Sequence, residues 1–173
     1  MLYFTDLETS RRFVEHAKTL IEEHLGDRPR EAHLHMPVDE FVGRASKLKS
    51  TFTNSPKSKE LINEFLGEMR QNPSEYLFDV PRLRVVPPYH FLSAGVSYAY
   101  KPHRDTWYGA PPCQINTWMP VFSISPDQTM HFNTAYFQTP VSNTSCDWDL
   151  KDWIENQRSK AKSNVQKEAR VHP

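Results

Sequence analysis

Apolar residues near the start of the chain recur every three to four positions, which is the period of an amphipathic helix. The stripe consists of Leu7, Phe13, Ala17, Leu20, Ile21 and Leu25. Thr5 and Glu8 form a capping-box pattern at its start, and Gly26, a residue favoured just beyond a helix end, follows it. This pattern predicts a scaffold helix with one buried face.

Two further helices are predicted within the first 75 residues. Residues 37 to 50 are expected to form a short second helix, and residues 58 to 71 a third. One side of the third helix carries Leu61, Ile62, Phe65, Leu66 and Met69. The pair Asn72-Pro73 is expected to end it. Residues 1 to 75 are therefore predicted to form a helical scaffold.

The middle of the chain favours strands. Its candidate strands are residues 76–80, 83–86, 96–100, 114–121 and 130–138. In the third of these, Val96, Tyr98 and Tyr100 alternate with smaller residues, which indicates a half-buried strand. Residues 76 to 140 are thus predicted to be rich in strands. Residues 141 to 173 are polar and are predicted to form a helical insertion or tail.

His103 and Asp105 directly follow the third candidate strand. In an extended chain, residues two apart point to the same side, so an imidazole and a carboxylate would meet there while Arg104 faces away. This donor pair suits iron(II) held by two histidines and one carboxylate, an arrangement that leaves positions open for substrate and oxygen. The alternative is a polar surface pair, because a His-x-Asp tripeptide occurs by chance in many chains.

The longer run from His103 to Val121 resembles the phytanoyl-CoA dioxygenase-like branch of the 2-oxoglutarate- and iron(II)-dependent oxygenases. The resemblance is carried by the His-x-Asp motif, the aromatic and proline-rich loop after it, and a strand bearing Trp118 and then Pro120. It covers residues 96 to 122 and is fainter over 130 to 143. It implies an α+β fold, in which the helical N-terminal third packs on a double-stranded β-helix, or jelly-roll or cupin-like, core. Residues 1–173 would then form a single oxygenase-like domain.

The resemblance also implies a function, that of an iron(II)- and 2-oxoglutarate-dependent dioxygenase. Such an enzyme would hydroxylate a small-molecule substrate, release succinate and CO2, and use ascorbate as a reductant. His103 and Asp105 would be metal ligands. Trp118 would lie beside the 2-oxoglutarate site, and the alternative is a core aromatic. Gln114 and Asn116 share a face with Trp118 by period two and are candidate cofactor-binding residues. Candidate substrate-binding residues, for which core packing is the alternative role, are Trp107, Tyr108, Tyr98 and Tyr100.

The family also needs a second histidine and, beyond it, an arginine for 2-oxoglutarate. No segment between Pro140 and Pro173 has this pattern. His131 is a candidate third ligand, although it could equally be a half-buried histidine, and His172 is a second candidate. The simplest interpretation is an oxygenase lacking its last third, whose missing C-terminal segment or second chain would be a partner. The alternatives are a truncated or degenerate cupin-like binding module without catalytic activity, and an isomerase or hydrolase with the same ligands.

Charge and cysteine content narrow the classes of partner. Lys plus Arg and Asp plus Glu number 21 each, so no basic excess favours nucleic acid. No apolar run approaches the length of a membrane span, and the N-terminus lacks the pattern of a signal peptide. Cys113 and Cys146 are predicted to be free thiols in a reducing compartment. Together these features predict a cytoplasmic protein without nucleic-acid or membrane partners, and the resemblance implies that it acts on a small molecule.

Overall fold

The computed structural model describes residues 6–88, 91–92, 102–152 and 155. The chain divides into two compact units, of which the first comprises Met1–Tyr89 with Trp118–Ile124, and the second His90–Thr117 with Ser125–Pro173. The first unit holds three long helices, whereas the described part of the second consists mainly of short 3-10 turns and irregular segments. The expectation of a single domain over residues 1–173 stays a prediction.

The described part of the first unit contains three long helices and one short helix. Its helices are α1 (Glu8–Leu25), the short α2 (Ala32–His35), α3 (Val38–Asn54) and α4 (Pro56–Glu68), and α5 (Leu150–Asp152) follows in the second unit. Helix α1 packs against both α3 and α4, which also contact each other. The buried apolar core comprises Phe13, Ala17, Leu20, Ile21, Leu25, Ala32, Phe41, Ala45, Leu48, Phe52, Leu61 and Leu83. No helix in the described ranges is long and apolar enough to cross a bilayer.

The helices predicted from the apolar pattern are present. All the stripe positions of α1 from Phe13 onward are buried, and Gly26 ends the helix with a φ of 79° while its N–H donates to the Glu22 carbonyl. The start of α1 differs from the prediction. Its N-cap residue, Leu7, provides no side-chain hydrogen bond, and Thr5 lies outside the described residues.

A distant carboxylate caps the start of α1 instead. The backbone N–H groups of Glu8 and Thr9 donate to Glu68 Oε1 and Oε2 over 2.8 Å each, and the Thr9 hydroxyl also donates to Oε2. These contacts satisfy N–H groups that have no partner within a helix. The bonds from Thr9, its hydroxyl first, lower the pKa of Glu68. The resulting negative charge is favourable at a helix N-terminus, so Glu68 joins the end of α4 to the start of α1.

One residue, Ser55, separates α3 from α4. Its hydroxyl accepts a hydrogen bond from the Ser58 N–H at 3.4 Å, and Pro56 occupies the first position of α4. His16 of α1 packs against this junction. Its Nε2 lies 3.1 Å from Ser55 Oγ and 3.2 Å from Ser58 Oγ, and its ring stacks on Phe52 with centroids 5.7 Å apart. The junction therefore encloses a titratable group.

The stability of the helical unit should fall in mildly acidic solution because of His16. Burial, and then the charge of Lys57, lower the pKa of His16 against the opposing effect of Glu23. Below the unfolded-state pKa of about 6.5, the unfolded chain binds a proton that the folded chain excludes. The resulting loss of stability grows as the pH falls towards the lowered folded-state pKa and is absent well above 6.5.

Urea unfolding at about pH 7.5 and about pH 5.5 measures this loss, since histidine is the side chain that ordinarily titrates in that interval. We expect His16→Gln to show a smaller difference between the two free energies of unfolding than the parent. The same change at exposed His131 is the matched control and should keep the parental difference. An unchanged difference in His16→Gln would rule out this origin.

The predicted jelly-roll or cupin core is wrong, and so are the predicted strands that fall within the described residues. The described residues contain no β-sheet, and bridge pairing among them is confined to Asn143. Residues 76–80 and 83–86 run without regular secondary structure, as do residues 114–120. The candidate strand 130–138 contains the 3-10 turn Thr134–Tyr136, and the candidate strand 96–100 lies outside the described residues. The predicted α+β class is therefore corrected to a helical one.

These segments do not form a sheet because an alternating sequence pattern describes a single strand. A sheet also requires a second strand, whose backbone N–H and C=O groups pair with those of the first. Leu83 is buried in the helical core, but large apolar side chains of the other described candidate strands are exposed. Leu77 is 106% exposed and Ile115 is 78% exposed. Pro120 also removes a backbone donor from the candidate strand 114–121. These segments therefore remain irregular.

Candidate metal centre

His103 and Asp105 lie side by side in the second unit. His103 Nε2 is 3.4 Å from Asp105 Oδ1, and the two side chains are 28% and 43% exposed. Between them, Arg104 has extended backbone angles, and Asp105 begins the 3-10 turn Asp105–Tyr108. The proximity expected from the spacing is present, but it arises where an extended residue enters a turn. The pair was predicted to lie at the end of a β-strand, but the structure places it at the start of a 3-10 turn.

The separation of the two donor atoms is compatible with a shared metal ion. A histidine nitrogen and a carboxylate oxygen, each about 2.1 Å from one ion, would be about 3.0 Å apart at a right angle and about 3.4 Å apart at a tetrahedral angle. The observed 3.4 Å equals the tetrahedral spacing, and the two atoms would approach each other by about 0.4 Å in a right-angle, octahedral centre. Imidazole with carboxylate is also a donor set that suits iron(II). The pair therefore fits two positions of a metal's coordination sphere.

A local turn holds the backbone of this pair. The Trp107 N–H donates to the Arg104 carbonyl at 2.9 Å, and the Ala110 N–H donates to the Asp105 carbonyl at 3.2 Å. Gly109 ends the turn with φ 79° and ψ 8°, a left-handed conformation that glycine adopts without steric cost. The turn thus orients the Asp105 carboxylate towards His103.

The far oxygen of Asp105 is held by an amide. The Asn116 side-chain amide donates to Asp105 Oδ2, and the Gln114 amide donates to Asn116 Oδ1 at 2.7 Å. Sequence reasoning placed Gln114 and Asn116 in a cofactor-binding face with Trp118. In the structure they instead form a chain of hydrogen bonds to the metal-ligand candidate, and Trp118 is 51% exposed and assigned to the other unit. Their contact with 2-oxoglutarate stays a prediction.

Aromatic rings support the His103 imidazole. The Tyr108 ring meets it edge-on with centroids 5.6 Å apart, and the Trp148 ring meets Tyr108 in the same way at 5.4 Å. Tyr108 was predicted to be a substrate-binding residue, whereas no sequence signal indicated the contact of Trp148. Trp107 is half-buried. Tyr98 and Tyr100 lie outside the described residues, and the substrate-binding roles of all four predicted aromatics stay predictions.

A third ligand does not join the pair within the described residues. No group of three or more His, Cys, Asp or Glu side chains there could hold a metal ion, so His131 is not part of such a group. His172 lies outside the described residues. Cys113 and Cys146 are exposed and unbridged, as predicted. The described residues therefore offer two candidate ligands at this site.

Comparisons with protein-family models, with curated proteins and with solved structures find no match for this chain. The likeness of residues 96 to 122 to an oxygenase family consequently depends on the motif residues themselves. Membership of that family stays a prediction.

Proposed function

We propose that this chain supplies two ligands, His103 and Asp105, to the mononuclear iron(II) centre of a 2-oxoglutarate-dependent dioxygenase that hydroxylates a small molecule. The observation that carries the proposal is the 3.4 Å separation of His103 Nε2 and Asp105 Oδ1, which suits two ligands of one ion. The resemblance of residues 96 to 122 to that enzyme family adds to it. A jelly-roll core is no part of the proposal.

The neighbouring side chains have distinct roles in this proposal. Asn116 holds Asp105 Oδ2, which leaves Oδ1 directed at the ion, and Tyr108 packs against the imidazole of His103. Partners of this kind orient metal ligands and raise the affinity of a site. Iron, when bound, would supply the chemistry that couples oxidation of 2-oxoglutarate to hydroxylation. The third ligand would come from a residue outside those described.

Titration of the purified chain with cobalt(II), a spectroscopic substitute for iron(II), tests the proposal. We expect paramagnetic effects in the NMR spectrum to centre on His103 and Asp105, and the binding to disappear in His103→Ala. His131→Ala is the matched control and should bind like the parent. Cobalt that stays equally bound in His103→Ala would refute the assignment.

Turnover separates an enzyme from a binding module. With iron, ascorbate and 2-oxoglutarate, succinate release by this chain alone is expected to be slow, because a two-ligand site binds iron weakly. Weak metal-dependent release that His103→Ala abolishes would support the dioxygenase. Robust release would show that a third ligand is already present. Metal binding with no succinate above the variant's background would favour a binding module.

Removing the amide that holds Asp105 should weaken metal binding without abolishing it. We expect Asn116→Ala to raise the cobalt(II) dissociation constant between about 10- and 100-fold, the usual effect of losing a partner of a metal ligand. Asn133→Ala is the matched control, since this exposed amide caps nothing through its side chain. Parental affinity in Asn116→Ala would show that the hydrogen bond does not orient the carboxylate.

A further inference from the structure

Arg104, the residue between the two candidate ligands, makes two long-range hydrogen bonds. Its Nη2 donates to the carbonyl oxygen of Tyr136 and, over 2.5 Å, to that of Thr139. These partners lie 32 and 35 positions further along the chain. Both acceptors belong to the region around the 3-10 turn Thr134–Tyr136. One guanidinium group therefore connects the ligand segment to a remote loop of the same unit.

The direction of the Arg104 side chain follows from the backbone. Its φ of −114° and ψ of 140° are extended, so its side chain points away from the side shared by His103 and Asp105. The peptide groups on either side of Arg104 link it to His103 and Asp105, so fixing the Arg104 side chain also restrains the backbone of both candidate ligands. Hydrogen bonds from a charged donor are about twice as strong as neutral ones, which makes this contact a firm support.

The carbonyls that Arg104 binds are not used by the loop's own turn hydrogen bonds. In that loop, the Phe137 N–H donates to the Thr134 carbonyl at 3.2 Å, and the Thr139 hydroxyl donates to the Ala135 carbonyl at 3.1 Å. The carbonyls of 136 and 139 accept from Arg104 instead. Arg104 thus satisfies two carbonyl groups of the loop and connects that loop to residues 103 to 105.

We propose that Arg104 is a positioning residue, which holds the backbone of residues 103 to 105 so that the imidazole and carboxylate converge on one metal ion. The inference rests on the proposed function for the identity of that ion, but the geometry can be tested without metal. Arg104 would touch neither metal nor substrate. Its effect passes entirely through the orientation of His103 and Asp105.

A metal-free measurement decides whether Arg104 sets this geometry. In the parent chain, NMR cross-peaks are expected between the rings of His103 and Tyr108, whose centroids are 5.6 Å apart. We expect Arg104→Ala to lose them and Arg104→Lys to recover them in part, because a lysine keeps the charge but not the planar fork. Lys151→Ala, at an exposed cation of the same unit, should keep them. Cross-peaks that persist in Arg104→Ala, or that the parent lacks, would overturn the proposal.

Cobalt(II) then connects the geometry to the metal. We expect Arg104→Ala to bind cobalt about 10-fold or more weakly than the parent, with an altered visible spectrum that reports a changed ligand geometry. Unchanged spectrum and affinity in Arg104→Ala would overturn the positioning role. A parent chain that binds no cobalt would refute the proposed function, whereas the ring cross-peaks would still decide the role of Arg104.

Discussion

Replacing Asp105 with alanine is expected to abolish specific metal binding by this chain. The change removes one of two candidate ligands and the only negative charge of the pair. The loss of affinity should exceed the roughly 100-fold that removal of an outer partner such as Asn116 can cost. Asp105→Asn keeps the shape of the side chain and removes its charge, so it should weaken binding nearly as much. Cobalt(II) titration measures both variants.

The same substitution should leave the fold intact. Asp105 lies outside α1, α3 and α4, and its side chain is 43% exposed, so losing the bond from Asn116 should change the free energy of unfolding by about 1 kcal/mol or less. Asp127→Ala, at an exposed carboxylate of the same unit, controls for the loss of a charge and should bind metal like the parent. Equal cobalt(II) affinity in Asp105→Ala and Asp127→Ala would refute the assignment of Asp105 as a metal ligand.

Truncating the core of the helical unit should have the largest effect on stability. Leu61 is fully buried in α4, and Leu61→Ala removes transfer free energy and leaves a cavity, at a cost of about 2–5 kcal/mol. Such a loss is a large part of the stability of a typical domain. The midpoint of urea unfolding should fall while the slope of the transition is unchanged.

Leu34→Ala provides the matched control for Leu61→Ala. Leu34 is 67% exposed, so the same truncation there is expected to change the free energy of unfolding by about 0.5 kcal/mol or less. A cost below about 1 kcal/mol for Leu61→Ala would contradict the close packing of α1, α3 and α4.

The helices could be predicted from the sequence because the apolar spacing and end residues that indicate a helix lie within the helix itself or next to it. The spacing of Phe13, Ala17 and Leu20 defines the buried face of α1 without reference to any other segment, and Gly26 marks its end. The cap on α1 could not be predicted in this way. Glu68 reaches that cap from the far end of α4, and only the packing of the two helices brings them together.

The strand predictions failed because pairing depends on a second segment. Alternation around Leu77 and Ile115 indicates a surface that could be half-buried, yet both side chains are exposed in the structure. At the candidate site, the i, i+2 spacing was sufficient to place His103 beside Asp105. The contacts of Asn116 and Arg104 depend on the paths of loops, which a single sequence does not specify.

The bond from Glu68 to the start of α1 has a consequence for the order of assembly. Its acceptor oxygens lie 59 and 60 positions beyond the N–H groups that they satisfy, so α1 is synthesised well before its own cap exists. Bringing Glu68 to the start of α1 closes a long loop and costs chain entropy, which the packing of α4 against α1 must offset. The first turn of α1 should therefore be completed late in folding, and loss of Glu68 should accelerate unfolding more than it slows folding.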